Sequence, residues 1–178
     1  SANVTGNTVT ITGGEIHRFV YGGYTTESGN VTDNTVTITG GKIRDHVYGG
    51  FTNGSGATTG NTVNLGDGDH SLPAGTNIAG TIYGGNKSAE GNVLNVRGAI
   101  TAGQIANFER LNFTVNKDTV GKTLLTLNGG AATSGLDWKK LTAQVGTTDL
   151  PTKSYAATRV TLMANEQGIE FTNYDKAK

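Results

Sequence analysis

Val9 and Ile11 alternate with Thr8, Thr10 and Thr12, a period of two that predicts a strand with one apolar and one polar face. Gly13-Gly14 breaks that strand. Ile16 and Val20 then mark two further short apolar segments, and Gly22-Gly23 breaks the chain again. The same pattern returns 27 residues later without a gap. Residues 3–24 read NVTGNTVTITGGEIHRFVYGGY and residues 30–51 read NVTDNTVTITGGKIRDHVYGGF. A third copy opens at Gly60-Asn61-Thr62-Val63, but its Ile82-Tyr83-Gly84-Gly85 arrives 8 residues late. The inserted stretch, about 67–80, holds Gly, Asp, His and Pro and reads as a surface loop. A weaker fourth copy starts at Gly91-Asn92-Val93-Leu94, after which the period is lost.

Short strands broken by glycine pairs and repeating in register predict an all-β fold, a parallel β-helix or solenoid. A single unit carries too few inward apolar residues to close a core, so units must stack, each burying its apolar positions against the next. Stacking places Asn7, Asn34, Asn61 and Asn92 in one amide ladder. It places Val9, Val36, Val63 and Leu94 in one inner column, and Ile11, Ile38, Leu65 and Val96 in the next. Tyr21, Tyr48 and Tyr83 form an aromatic column expected to face outward, because Val20, Val47 and Ile82 face inward. The repeats define a solenoid region over 1–97. Over 98–178 glycine thins and larger apolar residues appear, which predicts a β-rich C-terminal cap or an irregular continuation of the coils. Strands are expected at 108–115, 122–128, 140–145, 158–163 and 168–173, and Ile105 and Phe108 suggest one helical turn.

Composition narrows the function classes. Fourteen Lys+Arg balance fourteen Asp+Glu, so no basic excess draws a phosphate backbone, and no nucleic-acid partner is expected. The absence of cysteine excludes disulfides, thiolate metal sites and thiol nucleophiles. No run of 18 apolar residues is present to cross a bilayer as a helix. No charged leader followed by an apolar run opens the sequence, so no signal peptide is read in it; a leader elsewhere on a longer precursor stays open.

The repeated GNTVTITGG-x-I followed by VYGGY resembles the glycine-rich repeats in passenger regions of large Gram-negative autotransporter adhesins. The later segments GNVLNV, QIANFERLNF, TLLTLNGG and RVTLMANEQGI are similar to the stretch between such repeats and the outer-membrane barrel. The resemblance implies a right-handed β-helix, export to the cell surface and a role in adhesion. Its partner would be a host or bacterial surface protein or glycan, and its contact with membrane would run only through a barrel outside this chain. The family has no fixed catalytic or binding motif, so no functional residue transfers.

Candidate chemistry is sparse. Tyr21, Tyr48 and Tyr83, flanked by Tyr24 and Phe51, form a binding face that could stack on sugar rings or bury in a partner, or else simply an aromatic ladder that stabilises the coils. Asp67 and Asp69, beside His70, offer oxygen ligands and a turn glycine as calcium loops do, without the regular spacing or the later Glu; a plain loop is the alternative. His17, His46 and His70 fall at three different repeat positions. In the 27-residue register Glu15 stacks on Lys42 and Asp45 on Arg18, which reads as solvated ion pairs. No cofactor and no catalysis are expected. The rival readings are a polysaccharide-acting β-helix enzyme, which needs acidic residues converging in a groove, and a solenoid with an ice-binding face, in which Thr8, Thr10 and Thr12 stack on Thr35, Thr37 and Thr39.

Overall fold

The computed structural model describes residues 2–130, 132–137, 139–150 and 160–172. Among these residues there is no helix, and the strands pair in parallel, giving a β-solenoid of six coils. Coil 1 holds β1 (Val4–Thr5), β2 (Thr8–Ile16) and β3 (Val20–Thr25). Coil 2 holds β4 (Val31–Thr32), β5 (Thr35–Ile43) and β6 (Val47–Thr52). Coil 3 holds β7 (Thr62–Leu65) and β8 (Asn77–Gly85), and coil 4 holds β9 (Val93–Val96) and β10 (Ile100–Ala106). Coil 5 holds β11 (Arg110–Val115), β12 (Thr123–Leu127) and β13 (Ala132–Asp137). Coil 6 holds β14 (Thr142–Thr147), β15 (Thr161–Asn165) and β16 (Glu170–Thr172).

The strands line up in three faces. Face A is the first half of β2, the first half of β5, then β7, β9, β11 and β14. Face B continues from the second halves of β2 and β5 into the start of β8, then β10, β12 and β15. Face C is β3, β6, the end of β8, the end of β10, β13 and β16. The corner between A and B turns at glycine: Gly41 has φ +95°, a conformation that costs an L side chain strain.

The core is the set of inner columns expected from the repeat. Val9, Val36, Val63 and Leu94 are in register, followed by Leu111, and Ile11, Ile38, Leu65 and Val96 are followed by Phe113. Val36, Ile38, Val63, Leu65, Leu94 and Val96 are fully buried, because each lies between two coils. The Asn ladder also forms. Asn7 Nδ2 donates to Asn34 Oδ1 at 2.9 Å, Asn34 Nδ2 to Asn61 Oδ1 at 3.1 Å, and Asn61 Nδ2 to Asn92 Oδ1 at 3.4 Å. The backbone N–H of each donor residue reaches the same oxygen, at 3.0, 3.1 and 2.9 Å. Asn34, Asn61 and Asn92 are completely buried, a position an amide tolerates only with partners of this kind. A glycine within the aromatic strand makes room for them: a Cβ on Gly50 in β6 would lie 2.6 Å from Asn61 Nδ2.

The later strands differ in detail from the expectation. β10 and β13 were not foreseen, and 158–159 and 173 of the expected strands lie outside the described residues. The helical turn at Ile105 and Phe108 is overturned. Ile105 lies in β10 in parallel register with Ile82, and Phe108 is a fully buried corner residue. A strand residue and a corner residue that both turn inward imitate helical i, i+3 spacing. The strands after Gly98 continue the parallel stack, and what changes is corner length. Leu94 pairs with Leu111, an offset of 17, whereas Leu111 pairs with Ala143, an offset of 32. The coil persists while the sequence period does not.

Candidate functional site

Face C carries the most concentrated exposed aromatic surface. Val20, Val47 and Ile82 point inward and are buried, so alternation sends Tyr21, Tyr48 and Tyr83 outward in register. Gly22 and Gly23, in the middle of β3, both press inward, where a Cβ on Gly23 would lie 2.5 Å from the Asn34 amide nitrogen. Tyr24 therefore emerges on the same side as Tyr21, with ring centroids 5.0 Å apart. Phe51 stands one coil below Tyr24 in the same way.

The rings form three stacked columns. Tyr21 and Tyr48 lie 5.4 Å apart at 15° between planes, and Tyr48 and Tyr83 lie 4.7 Å apart at 6°. Tyr24 stacks on Phe51 at 5.7 Å and 23°. Phe19 stacks on His46 at 5.9 Å and 18°. Sequence reasoning missed this third column, although adding the repeat offset of 27 to Phe19 lands on His46. His46 is fixed by its backbone contacts: its Nδ1 accepts the Thr81 N–H at 2.8 Å, which defines the neutral ring as the Nε2–H tautomer.

Stacking decides what this face presents. Tyr48, expected to face outward, is only 9% exposed, because its ring is sandwiched between its neighbours. Burial first, then the neighbouring Tyr83 and Tyr21 phenols, pushes its hydroxyl up to about 12, and burial raises Tyr21 as well. The accessible aromatic surface is concentrated on Phe19, 41% exposed, and Tyr24, 45% exposed, while Tyr21, Tyr83 and Phe51 are half-buried. Inner members of the columns offer edges and hydroxyls rather than ring faces.

The other candidates sort differently. Asp67 Oδ1 accepts the backbone N–H groups of Asp69 at 2.9 Å and His70 at 3.0 Å, and Oδ2 lies 3.0 Å from His70 Nδ1. The His70 hydrogen bond, followed by those two backbone donors, lowers the Asp67 carboxyl to about 2, and the same contact raises His70. The carboxylate is thus turned into its own loop, beside the exposed Asp69. Among the described residues no group of three or more His, Cys, Asp or Glu side chains gathers as a metal would need.

The ion pairs also differ from the expected register. Glu15 does stand opposite Lys42, but it is hydrogen-bonded to the diagonal Arg44, whose guanidinium lowers the Glu15 carboxyl. Asp45 accepts the His46 N–H at 2.9 Å, rather than pairing with Arg18, and sits 3.7 Å from His46 Nε2. A carboxylate one residue from a free backbone donor needs no long side chain to be ordered, so the local contact wins.

The threonine array is smaller than the sequence suggests. Thr8 and Thr10 stack on Thr35 and Thr37, but a register shift pairs Thr12 with Gly40, not Thr39. Below Thr37 the column becomes a second amide ladder. Asn64 Nδ2 donates to Thr37 Oγ1 at 3.0 Å, Asn95 Nδ2 to Asn64 Oδ1 at 2.8 Å, and Asn112 Nδ2 to Asn95 Oδ1 at 2.8 Å.

No protein-family model, curated protein or solved structure matches this chain.

Proposed function

We propose that this chain is a surface-exposed stretch of an autotransporter-type adhesin passenger of a Gram-negative bacterium. In this reading the solenoid acts as a rigid spacer and as an extended adhesion surface toward a host or bacterial surface protein or glycan. The observation that carries the reading is face C: clustered, partly exposed aromatics on a regular, repeat-built rod, with no counter-element packed over Phe19 and Tyr24 among the described residues. Large aromatic side chains supply much of the energy of protein interfaces. Six coils at about 4.8 Å each make a rod of about 29 Å, long enough to hold that surface off its attachment. The enzyme alternative needs carboxylates converging in a groove. A groove of about 570 Å³ on face B is lined by uncharged residues, which suits binding rather than acid–base catalysis there.

The test is adhesion of beads coated with the 178-residue chain to epithelial cells and to bacterial cells. Binding above that of beads coated with an unrelated β-solenoid supports the reading. Adhesion to neither cell type removes it.

A further inference from the structure

A groove of about 570 Å³ lies on face B, under the loop that joins β7 to β8. One wall is the loop itself, with the apolar Leu72 and Pro73. The floor is built from outward positions of consecutive coils: Asn77 in β8, Thr101 in β10 and Thr126 in β12, which are in parallel register with one another. Thr123 and Asn128 close the far end.

Three features of this groove point to one ligand chemistry. First, its lining contains no charged side chain; Lys42, the neighbour of Asn77 in the same column, lies one coil further on. Second, the side chains of Thr101, Thr123, Thr126 and Asn128 make no hydrogen bond among the described residues and are at least partly open to solvent, whereas Asn77 Nδ2 already donates to the Gly75 carbonyl at 3.0 Å and Thr76 Oγ1 to the Pro73 carbonyl at 2.7 Å. They form a set of uncommitted neutral donors and acceptors beside an apolar wall. Third, parallel register repeats the polar rungs at one strand spacing, about 4.8 Å, close to the length of one pyranose residue. A face of buried or self-paired groups would not recognise hydroxyls; this one presents three threonine hydroxyls and the Asn128 amide without partners.

We propose that the face B groove binds a neutral oligosaccharide, laid along the solenoid axis with about one sugar per coil. Thr101 and Thr126 would hydrogen-bond ring hydroxyls, and Leu72 with Pro73 would cover the apolar C–H face. Face C cannot do the same through its inner rings, because their faces are covered by one another. The inference rests on the adhesin reading and gives it a ligand class.

The experiment titrates the full 178-residue chain with cellohexaose, chitohexaose, mannohexaose and xylohexaose, and with an oligogalacturonate hexamer as the charged control. Saturation-transfer NMR and calorimetry read the binding. Binding of at least one neutral hexasaccharide is expected, with the charged hexamer bound at least tenfold more weakly. Thr101→Val with Thr126→Val, which keeps β-branched shape and removes both hydroxyls, is expected to weaken that binding at least tenfold. Ala79→Trp, which fills the groove and leaves the hydroxyls, is expected to do the same. Circular dichroism checks that each variant keeps the fold.

Failure of all four neutral sugars overturns the proposal, as does preference for the charged hexamer. Binding that survives both variants but is lost in Phe19→Ala/Tyr24→Ala places the site on face C and also overturns it. Bead adhesion separates the two readings: wild-type beads that adhere while every sugar fails sink the groove and leave the adhesin. A bound sugar with beads that do not adhere does the reverse.

Discussion

Asn61→Ala removes the middle rung of the buried amide ladder. Its Oδ1 accepts both the Asn34 backbone N–H and Asn34 Nδ2 at 3.1 Å, and its own Nδ2 donates to the Val31 carbonyl at 3.1 Å and the Thr59 carbonyl at 3.2 Å. Truncation leaves the Asn34 N–H buried without that acceptor and the Val31 carbonyl without that donor. Asn34 Nδ2 keeps the Val4 carbonyl at 3.2 Å, and Asn92 Oδ1 keeps the Asn61 N–H at 2.9 Å, so the loss does not spread along the whole ladder. Each buried group left unsatisfied costs about 1–3 kcal/mol, which sets the expected loss for the two at about 2–6 kcal/mol. With a urea slope of about 2 kcal/mol/M, the midpoint falls by about 1–3 M at unchanged slope. Urea titrations followed by far-UV circular dichroism read this directly. Asn7→Ala is the internal comparison: Asn7 is exposed, and its loss is expected to stay below about 1 kcal/mol. Equal shifts for Asn61→Ala and Asn7→Ala would refute the reasoning, because burial of the partners would then carry no penalty.

Five further outcomes follow from the same geometry. Gly50→Ala puts a methyl 2.6 Å from Asn61 Nδ2 and is expected to lower the melting temperature, with Gly50→Ala/Asn61→Ala costing less than the sum of the two. Phe19→Ala/Tyr24→Ala is expected to reduce bead adhesion with little change in melting temperature, since both side chains are about half exposed. Tyr48→Ala, by contrast, should lower the melting temperature, since it opens a gap between Tyr21 and Tyr83. In an alkaline titration followed at 295 nm, a tyrosine step at about pH 12 is expected, and Tyr48→Phe is expected to remove it. The Asp67–His70 pair contributes while Asp67 is ionised and His70 protonated. That contribution is lost as pH falls through the lowered Asp67 value of about 2, and again as pH rises through the His70 value, which lies above 6.5. An NMR titration of the His70 ring protons should give a midpoint above 6.5 that moves back toward it in Asp67→Asn.

The inner columns and the Asn ladder are legible because identical corners keep the offset at 27 from coil 1 to coil 2. Periodicity stops being informative where corners change length, as between Leu94 and Leu111 or Leu111 and Ala143, although the pairing itself is unchanged. β10 escapes notice for the same reason. Its inward Ile100, Ala102 and Ile105 shift register against β8 between Ala102 and Gln104, which blurs any strict alternation. At the aromatic site the tyrosines are readable from the VYGG motif. The Phe19–His46 column is not readable from residue type, because a repeat position can hold two different rings. Side-chain reach is harder still: register places Lys42 opposite Glu15, but the longer diagonal to Arg44 closes the pair.

The amide ladder has a sense. Every rung donates toward the next coil's oxygen, and at Asn92 the side-chain nitrogen turns instead to the carbonyls of Thr58, Ser88 and Asn107. Coil 3 with coil 4 therefore forms a closed seed, in which both ends of the Asn92 amide are satisfied without help from coil 1. Each earlier coil finds on its neighbour an acceptor already fixed in place, so order can spread one coil at a time from that seed toward coil 1, as in a one-dimensional array with nearest-neighbour coupling. A chain built this way can acquire structure progressively rather than all at once.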